Sequence, residues 1–330
     1  MDKPIRLGIL GPGRIVRRVA SDFARTKNVA VTAVASRSID RAREAQALLG
    51  ARHAFGDYRS LADCADVDLV YVATPHNFHM EQSMLMMEAG KHVICEKPLV
   101  VDGDQARRLA ACSRKNNVFL MEAMWTRFFP ASARLRHLLA EGAIGRVRHF
   151  YAEFSFANAG DPADRLLNPA LAGGGLLDVG IYTAAACSMV LGTDYTQAQV
   201  LGELAATGVD ARASVQLKYS SGATAQWMCG FDAVGRSIEL IYGSEGRIEI
   251  EDFWHPTALT VVKQGGARER IEFPAENEGF RHEFDHAADC IRQGLTESPV
   301  MPLAESIALA DLLADLRARL GVPPVGEGRG

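Results

Sequence analysis

The feature that most constrains the fold is a Gly-Pro-Gly turn between a short apolar run and a helical pattern near the start of the chain. Ile5 to Leu10 predicts a strand, and Ile15 to Ala24 predicts a helix. Between them, Gly11 permits the tight turn, and Gly13 lets the backbone approach a pyrophosphate at the start of the helix, where N–H groups favour anions. Val16 replaces the third glycine of this fingerprint. We therefore predict a dinucleotide-binding turn, with a plain strand-to-helix turn as the alternative.

Strand and helix patterns alternate through the first third of the chain. Further strands are predicted at Val29 to Ala35, Leu69 to Ala73, His92 to Cys95 and Val118 to Met121, with helices over 40–49, 78–88 and 105–115. The run LVYVA at 69–73 is apolar throughout, which is typical of a central parallel strand covered on both faces. This order predicts right-handed βαβ units and a doubly wound sheet.

The pattern changes after about residue 122. Strands are predicted at 146–156, 211–219, 223–229, 237–242 and 247–251, and helices at 176–191, 279–293 and 304–320. Short turns and period-two alternation predict an open, mainly antiparallel sheet with two unlike faces. We therefore predict an α/β nucleotide-binding domain over 1–122 and an α+β domain for substrate binding and oligomerisation over 123–330, whose last helices are free to pack back on the first domain.

Composition excludes several classes of protein. The 330 residues have a formal net charge of −4 and are 48% hydrophobic, which argues against a disordered chain and a nucleic-acid-coating protein. No apolar run approaches the length of a membrane span, and the N-terminus lacks a signal-peptide layout. Six scattered cysteines without a C-x-x-C pair indicate small buried side chains in a reducing compartment. We expect a cytoplasmic protein with no nucleic-acid or membrane partner.

The end of the second predicted strand indicates which dinucleotide binds. A ribose-binding acid is expected about 20 residues past the glycines, but Ser36 and Arg37 occupy that place. A hydroxyl and a guanidinium suit a 2′-phosphate, and Arg41 could add a second cation. The sequence therefore favours NADP, with NAD as the alternative if Arg37 is only a solvated loop residue.

Three more motifs complete the pattern: ATPHNFH at 73–79, EKP at 96–98 and GGGLLDVGIY at 173–182. With the N-terminal turn, they resemble the glucose–fructose oxidoreductase / inositol dehydrogenase (Gfo/Idh/MocA) family. The segment MEAMWTRFFP at 121–130 resembles the branch with dimeric dihydrodiol dehydrogenases and NADP-dependent D-xylose dehydrogenases. The resemblance implies a Rossmann domain, an open-faced sheet domain, an active site between them and a cis bond before Pro98.

Lys97, Asp178 and Tyr182 are the predicted catalytic residues. Lys97 follows the fifth strand, and ligands of open α/β sheets bind beyond strand ends. Asp178 and Tyr182 are four residues apart near a helix start, and therefore share one face. The resemblance implies that Tyr182 is the acid/base. A phenol ordinarily titrates near pH 10, and a nearby cation would bring it into the useful range. The alternatives are that Lys97 is an ordinary surface lysine, that Tyr182 packs in the core, and that Asp178 is only a favourable charge at the start of a helix.

The remaining site predictions concern the cofactor and the pocket wall. The predicted cofactor-binding residues are Gly11, Gly13, Arg14, Ile15, Ser36, Arg37, Arg41, Thr74, Pro75, His76, His79, Glu96 and Lys97. The predicted substrate-pocket residues are Trp125, Arg127, Phe154, Trp254 and Phe280. Plain core packing is the alternative for the aromatic residues. No metal is expected, because no third ligand accompanies the histidines of the first set.

These residues predict an NADP-dependent dehydrogenase that acts on CH–OH groups. Its expected substrates are cyclic polyols or sugars, such as a trans-dihydrodiol or an aldopyranose like D-xylose. The alternatives are a non-catalytic NAD(P)-binding regulator of the same fold and an enzyme for inositol or anhydro-sugar substrates. A homo-oligomer, preferably a dimer through the open sheet face, is also expected.

Overall fold

A computed structural model describes residues 3–158, 160–161, 164–274 and 277–325. Contacts divide them into a first unit, 3–125 with 277–307, and a second unit, 126–274 with 308–325. The predicted division placed 123–330 in the second domain and left its last helices free to pack back on the first. Segment 277–307 joins the first unit, where Phe284 is buried with its ring centroid 4.9 Å from that of Phe23 and 5.1 Å from that of Tyr71.

The first unit contains a six-stranded parallel sheet. Its strands are β1 (Ile5–Leu10), β2 (Val29–Ala35), β3 (His53–Phe55), β4 (Leu69–Val72), β5 (His92–Glu96) and β6 (Leu120–Ala123). They are ordered β3-β2-β1-β4-β5-β6, and every pair is parallel. The predicted doubly wound sheet is confirmed, with β3 as an additional, three-residue edge strand.

Helices connect the strands of the first unit and continue into the second. They are α1 (Arg14–Arg18), α2 (Ala20–Phe23), α3 (Ile39–Leu49), α4 (Tyr58–Ala62), α5 (His79–Glu88), α6 (Gly103–Asn116), α7 (Pro130–Ala140), α8 (Ile181–Leu191), α9 (Arg281–Arg292) and α10 (Leu303–Arg319). The single helix predicted over 15–24 is divided at Val19, whose ψ of 5° leaves helical geometry. The boundary between the units falls within α10.

The second unit contains an eight-stranded sheet. Its strands are β7 (Val147–Ser155), β8 (Tyr195–Leu204), β9 (Asp210–Tyr219), β10 (Thr224–Gly230), β11 (Ile238–Gly243), β12 (Gly246–Glu251), β13 (Ala258–Lys263) and β14 (Arg268–Glu272). They are ordered β14-β13-β12-β11-β7-β10-β9-β8, and only the β7–β10 pair is parallel. The predicted mainly antiparallel sheet is confirmed.

One face of this sheet is covered by α8 and by the π-helical turn before it, Leu176–Gly180. The longer segment Pro169–Leu191 is apolar and long enough to pass for a membrane span, but 78% of its apolar 18-residue window is buried inside the protein. Its apolar character is explained by its position against the sheet.

Candidate active site

The predicted cofactor-binding residues of the first unit cluster at one edge of the parallel sheet. They follow β1, β2, β4 and β5, and β2, β1, β4 and β5 are consecutive neighbours in the sheet. Parallel strands end at a common edge, so the loops after them converge there. In the sheet, β2 lies on one side of β1 and β4 lies on the other, so the order of the strands reverses at β1. Ligands of doubly wound folds bind at such switch points.

Gly11 and Gly13 have different structural roles in the first of these loops. Gly11 has a φ of +83°, and a Cβ there would collide with the side chain of Thr74. The fold itself therefore requires a glycine at this position. A Cβ at exposed Gly13 would meet no described atom closer than 3.9 Å. The surface around Gly13, where Arg14 and Ile15 begin α1, can therefore accept a phosphate.

The loop after β2 presents two exposed cations. Arg37 and Arg41 lie at the start of α3, and within the described part of the chain neither forms an ion pair. The Arg37 guanidinium lies 5.8 Å from the centroid of the Phe78 ring. Ser36 is buried, and its Oγ accepts a hydrogen bond from the N–H of Ser38. The loop therefore combines a hydroxyl with two cations available to a phosphate.

Three buried side chains hold the loop that carries Lys97. The Glu96 carboxylate accepts the Lys97 N–H at 3.1 Å, and Glu122 accepts the Leu99 N–H at 3.0 Å. The ring of His79 contacts the carbonyl oxygen of Pro98 at 2.9 Å. The bond before Pro98 is cis, which confirms what the resemblance implies. Half-buried Lys97 thus projects from a loop fixed at three points.

Two side chains predicted to bind the cofactor also have partners inside the protein. His79 has no exposed surface, and its ring nitrogens contact the carbonyl oxygens of Pro98 and Thr74. Burial, the largest influence, lowers the pKa of His79. Glu96 is 7% exposed and accepts hydrogen bonds from the Tyr71 hydroxyl and from its neighbour's N–H. Both side chains therefore support these loops from the interior. His76 is also buried, whereas Thr74 and Pro75 remain half-buried at the sheet edge.

In the second unit, Asp178 lies in the π-helical turn and Tyr182 in the first turn of α8. π-helical turns occur often at functional sites. Asp178 is 6% exposed, and its Oδ1 accepts a hydrogen bond from Arg165 Nη2 at 2.8 Å. Arg165 was missed at the sequence level, because it lies 13 residues before Asp178 in an irregular segment without a motif.

Tyr182 belongs to a half-buried aromatic cluster, Phe154–Tyr182–Trp254. Phe154 and Trp254 stack with ring centroids 5.8 Å apart and planes 8° apart. The ring of Tyr182 meets Phe154 nearly edge-on at 5.5 Å. All three side chains are only partly buried. The phenol is thus set in an aromatic wall that retains accessible apolar surface.

Three other side chains predicted to line the pocket are covered in the structure. Trp125 and Phe280 are 2% and 1% exposed and stack on each other with centroids 4.0 Å apart. Arg127 is 4% exposed, and its Nη2 donates hydrogen bonds to Ala185 O at 2.6 Å and Ser188 Oγ at 2.9 Å. The two rings are core residues of the first unit. Arg127 instead connects its own segment to α8 through these hydrogen bonds.

Two family models match the chain in the order of its two sheets. Residues 5–124 match an oxidoreductase family with an NAD-binding Rossmann fold, and residues 132–249 match the GFO/IDH/MocA C-terminal domain. The mouse trans-1,2-dihydrobenzene-1,2-diol dehydrogenase is 37% identical, with 96% of this chain and 97% of that protein aligned. The chain belongs to the GFO/IDH/MocA oxidoreductase family. This membership confirms the resemblance stated from the motifs.

Three other similar proteins extend the comparison. The rabbit trans-1,2-dihydrobenzene-1,2-diol dehydrogenase is 40% identical, with 88% of this chain and 91% of that protein aligned. KijD10, a 3-ketoreductase from Actinomadura kijaniata solved with NADP and TDP-benzene, superposes with a TM-score of 0.84 at 29% identity, covering 96% of this chain and 98% of that one. An aldose-aldose oxidoreductase from Caulobacter crescentus superposes with a TM-score of 0.88 at 25% identity, covering 97% and 98%.

Proposed function

We propose that this chain is an NADP-dependent oxidoreductase that acts on a CH–OH group of a cyclic polyol or sugar. The observation that carries the proposal is the placement of the Tyr182 phenol in the half-buried wall of Phe154 and Trp254. A ring-shaped substrate would bury an apolar face against such a wall. The names of the relatives, dihydrodiol dehydrogenases and sugar-acting oxidoreductases, support a substrate of this shape.

The cofactor would be held by the loops of the first unit. Gly13 and the start of α1 would bind the pyrophosphate, and Ser36, Arg37 and Arg41 would bind the 2′-phosphate. When bound, NADP supplies the hydride acceptor in oxidation and the hydride donor in reduction. The NADP in the related ketoreductase supports this choice over NAD.

The chain's own residues would move the proton and orient the substrate. In oxidation, Tyr182 accepts the proton of the substrate hydroxyl, assisted by the ammonium group of Lys97. Asp178, fixed by Arg165, orients a substrate hydroxyl. In reduction, the same groups return the proton to the carbonyl oxygen. Most of the rate gain would come from holding the carbinol carbon in position.

Turnover of NADP⁺ with a panel of trans-dihydrodiols, aldopyranoses and inositols tests the function. Wild-type protein should produce NADPH with at least one cyclic substrate. Lys97→Met and Tyr182→Phe should each lower kcat at least about a hundredfold while still binding NADPH. The matched controls Lys115→Met and Tyr195→Phe should retain wild-type kcat. Near-wild-type turnover in both site variants would overturn the assigned roles, and NADPH binding without any turnover would favour the regulator instead.

The cofactor preference has its own test. Ser36→Asp combined with Arg37→Ile should lower the ratio of kcat/KM for NADP⁺ to that for NAD⁺ by about ten- to a hundredfold, because charge-assisted hydrogen bonds to the phosphate are lost. Arg43→Ile removes another exposed cation of α3 and should leave the ratio unchanged. An unchanged ratio in the double variant would contradict the assignment.

We also propose that the open sheet face forms a homodimer. Leu201 on β8 is 79% exposed and lies directly opposite Ser214, which in turn lies opposite Met228. This stripe would be covered in a dimer. Sedimentation should give twice 35.7 kDa for wild type and the monomer mass for Leu201→Lys. Val234→Lys, at an 87% exposed position outside the strands, is the control, and a monomeric wild type would refute the dimer.

We also propose that the protein is cytoplasmic. The cysteines at positions 64, 95, 112, 187, 229 and 290 are all unbridged, and all but Cys64 are buried. Unbridged cysteines are typical of a reducing compartment. They therefore support a cytoplasmic enzyme.

A further inference from the structure

A buried carboxylate contacts the start of the helical segment that carries Asp178 and Tyr182. Asp210, the first residue of β9, has no exposed surface, and its Oδ2 accepts the backbone N–H of Leu176 at 2.5 Å. Leu176 begins the π-helical turn. The N–H groups at a helix start have no partner within the helix, and a carboxylate there satisfies one of them and favours the helix dipole.

The glycines before this turn make room for the carboxylate. Gly174 has a φ of +123°, and a Cβ there would collide with Oδ1 of Asp210. A Cβ at Gly175 would lie 3.3 Å from Ala211 O and 3.5 Å from Oδ2 of Asp210. Gly174 and Gly175 of the motif GGGLLDVGIY are therefore explained by the close approach of β9 to the start of the turn.

A buried cation stands beside the same carboxylate. Arg317 on α10 has its Nε 3.9 Å from Oδ1 of Asp210, and its side chain is 7% exposed. Among the described residues, neither of these two atoms has a hydrogen-bond partner. The pair therefore attracts through charge alone, in an interior where such attraction is weakly screened.

The charge of Asp210 changes within the pH range of ordinary buffers. Burial raises the pKa of Asp210 to about 6, while the N–H of Leu176 and the guanidinium of Arg317 oppose the rise. The thiol of Cys229 on β10 also faces it, and the pKa of that thiol is raised well above its ordinary range by burial. Asp210 is thus ionised above about pH 6 and neutral below.

We propose that Asp210, with Arg317, is a positioning residue that holds the Leu176–Gly180 turn and thereby sets Asp178 and Tyr182 for proton transfer. The inference rests on the proposed function. The ionised carboxylate accepts a charge-assisted hydrogen bond from the turn, and the guanidinium keeps that carboxylate charged. Among the described residues, no hydrogen bond or ion pair joins either side chain to Asp178 or Tyr182.

The first test is the pH dependence of kcat. Wild-type kcat should fall as the pH drops through about 6, in addition to any limb set by Tyr182 and Lys97. Asp210→Asn keeps the shape and an acceptor oxygen but removes the charge. It should therefore lower kcat about tenfold above pH 7, leave KM for NADP⁺ unchanged, and abolish the limb near pH 6. Wild-type kcat with the limb retained would overturn the proposal.

Substitutions of Arg317 test the second half of the pair. Arg317→Met removes the cation that lowers the pKa of Asp210, so the acid limb should move to higher pH. Arg317→Lys keeps the charge and should restore the wild-type profile. An acid limb that stays in place in Arg317→Met would show that Arg317 does not act through Asp210. Purely structural damage would lower kcat at every pH alike, which would also contradict the proposal.

A measurement without turnover separates this inference from the proposed function. Hydrogen–deuterium exchange of the amides of 176–182 should be about tenfold faster in Asp210→Asn than in wild type. Asp232→Asn breaks the more exposed Arg212–Asp232 pair of the same unit and should leave that exchange unchanged. If the wild type shows no turnover, the proposed function fails, and this exchange alone decides whether Asp210 holds the turn. Equal exchange in all three proteins would overturn the inference.

Discussion

Each unit contains a stacked pair of aromatic side chains near predicted functional residues, but the two pairs differ in how much of their surface is exposed. In the first unit, Trp125 and Phe280 stack with planes 10° apart, and both are almost fully buried. In the second unit, Phe154 and Trp254 stack with planes 8° apart, yet both remain partly exposed. Stacking angle therefore does not distinguish a buried pair from a partly exposed one.

The accessible surface of each pair decides what its rings contribute. A fully buried ring stabilises the fold through its packing contacts and the apolar area removed from water. A partly exposed pair leaves apolar surface that a ligand can still cover. The buried pair should therefore affect mainly the free energy of unfolding, and the exposed pair mainly substrate binding.

The largest expected effect separates the two pairs through their tryptophans. Trp125→Ala should lower the free energy of unfolding by about 3–5 kcal/mol, because it leaves a large cavity in a packed interior. Trp254→Ala should lower it by about 1 kcal/mol, because part of that ring is already in water. Urea denaturation of both variants measures the difference. Equal losses of unfolding free energy in the two variants would contradict this difference between the two stacked pairs.

The second prediction concerns the interior behind the exposed rings. Glu239 on β11 is 3% exposed and borders a cavity of about 20 Å³ that Phe253 also lines. The ring of Phe253 lies 6.0 Å from that of Phe154. Burial raises the pKa of Glu239 to about 8, opposed by Arg127. The carboxyl is therefore neutral in the folded protein at pH 7.

This raised pKa fixes the sign of a pH effect on stability. Between about pH 4.5 and 8, Glu239 ionises in the unfolded chain but not in the folded one, so the wild type loses stability as the pH rises. Glu239→Gln cannot ionise, and at pH 8 it should be more stable than wild type by about 3–4 kcal/mol relative to the difference at pH 4.5. Exposed Glu251→Gln should show no such trend in urea melts. A pH-independent difference for Glu239→Gln would contradict the prediction.

Sequence reasoning located the residues of the first unit well, because their positions follow from strand order alone. Once β1, β2, β4 and β5 are parallel, their following loops must share an edge, so Gly13, Arg37 and Lys97 are brought to one region. Which polar side chains face inward does not follow from that order. His79 and Glu96 lie in the correct loops but are turned into the interior by hydrogen bonds to backbone groups.

In the second unit, contacts between residues that lie far apart in the chain limited what could be predicted from the sequence. Arg127 is buried by partners about 60 residues away, and Asp210 reaches Leu176 across 34 residues. Neither separation leaves a local pattern. Strands β8, β13 and β14 were also missed. β14 reads RERIE and carries four charged residues, so it lacks alternation between apolar and polar positions.

The smallest effect on stability, and the most specific for function, is expected at Phe154. Phe154→Leu preserves most of the apolar volume and should change the free energy of unfolding by less than about 1.5 kcal/mol. It removes the flat ring that meets both Tyr182 and Trp254, so KM for a cyclic substrate should rise at least about threefold while KM for NADP⁺ stays constant. Phe253→Leu, at a buried neighbouring ring, should instead act on stability and leave KM unchanged. The same substitution would then have opposite consequences at two adjoining rings, because one faces the interior and the other retains accessible surface. Unchanged KM in Phe154→Leu would place the substrate elsewhere than on this wall.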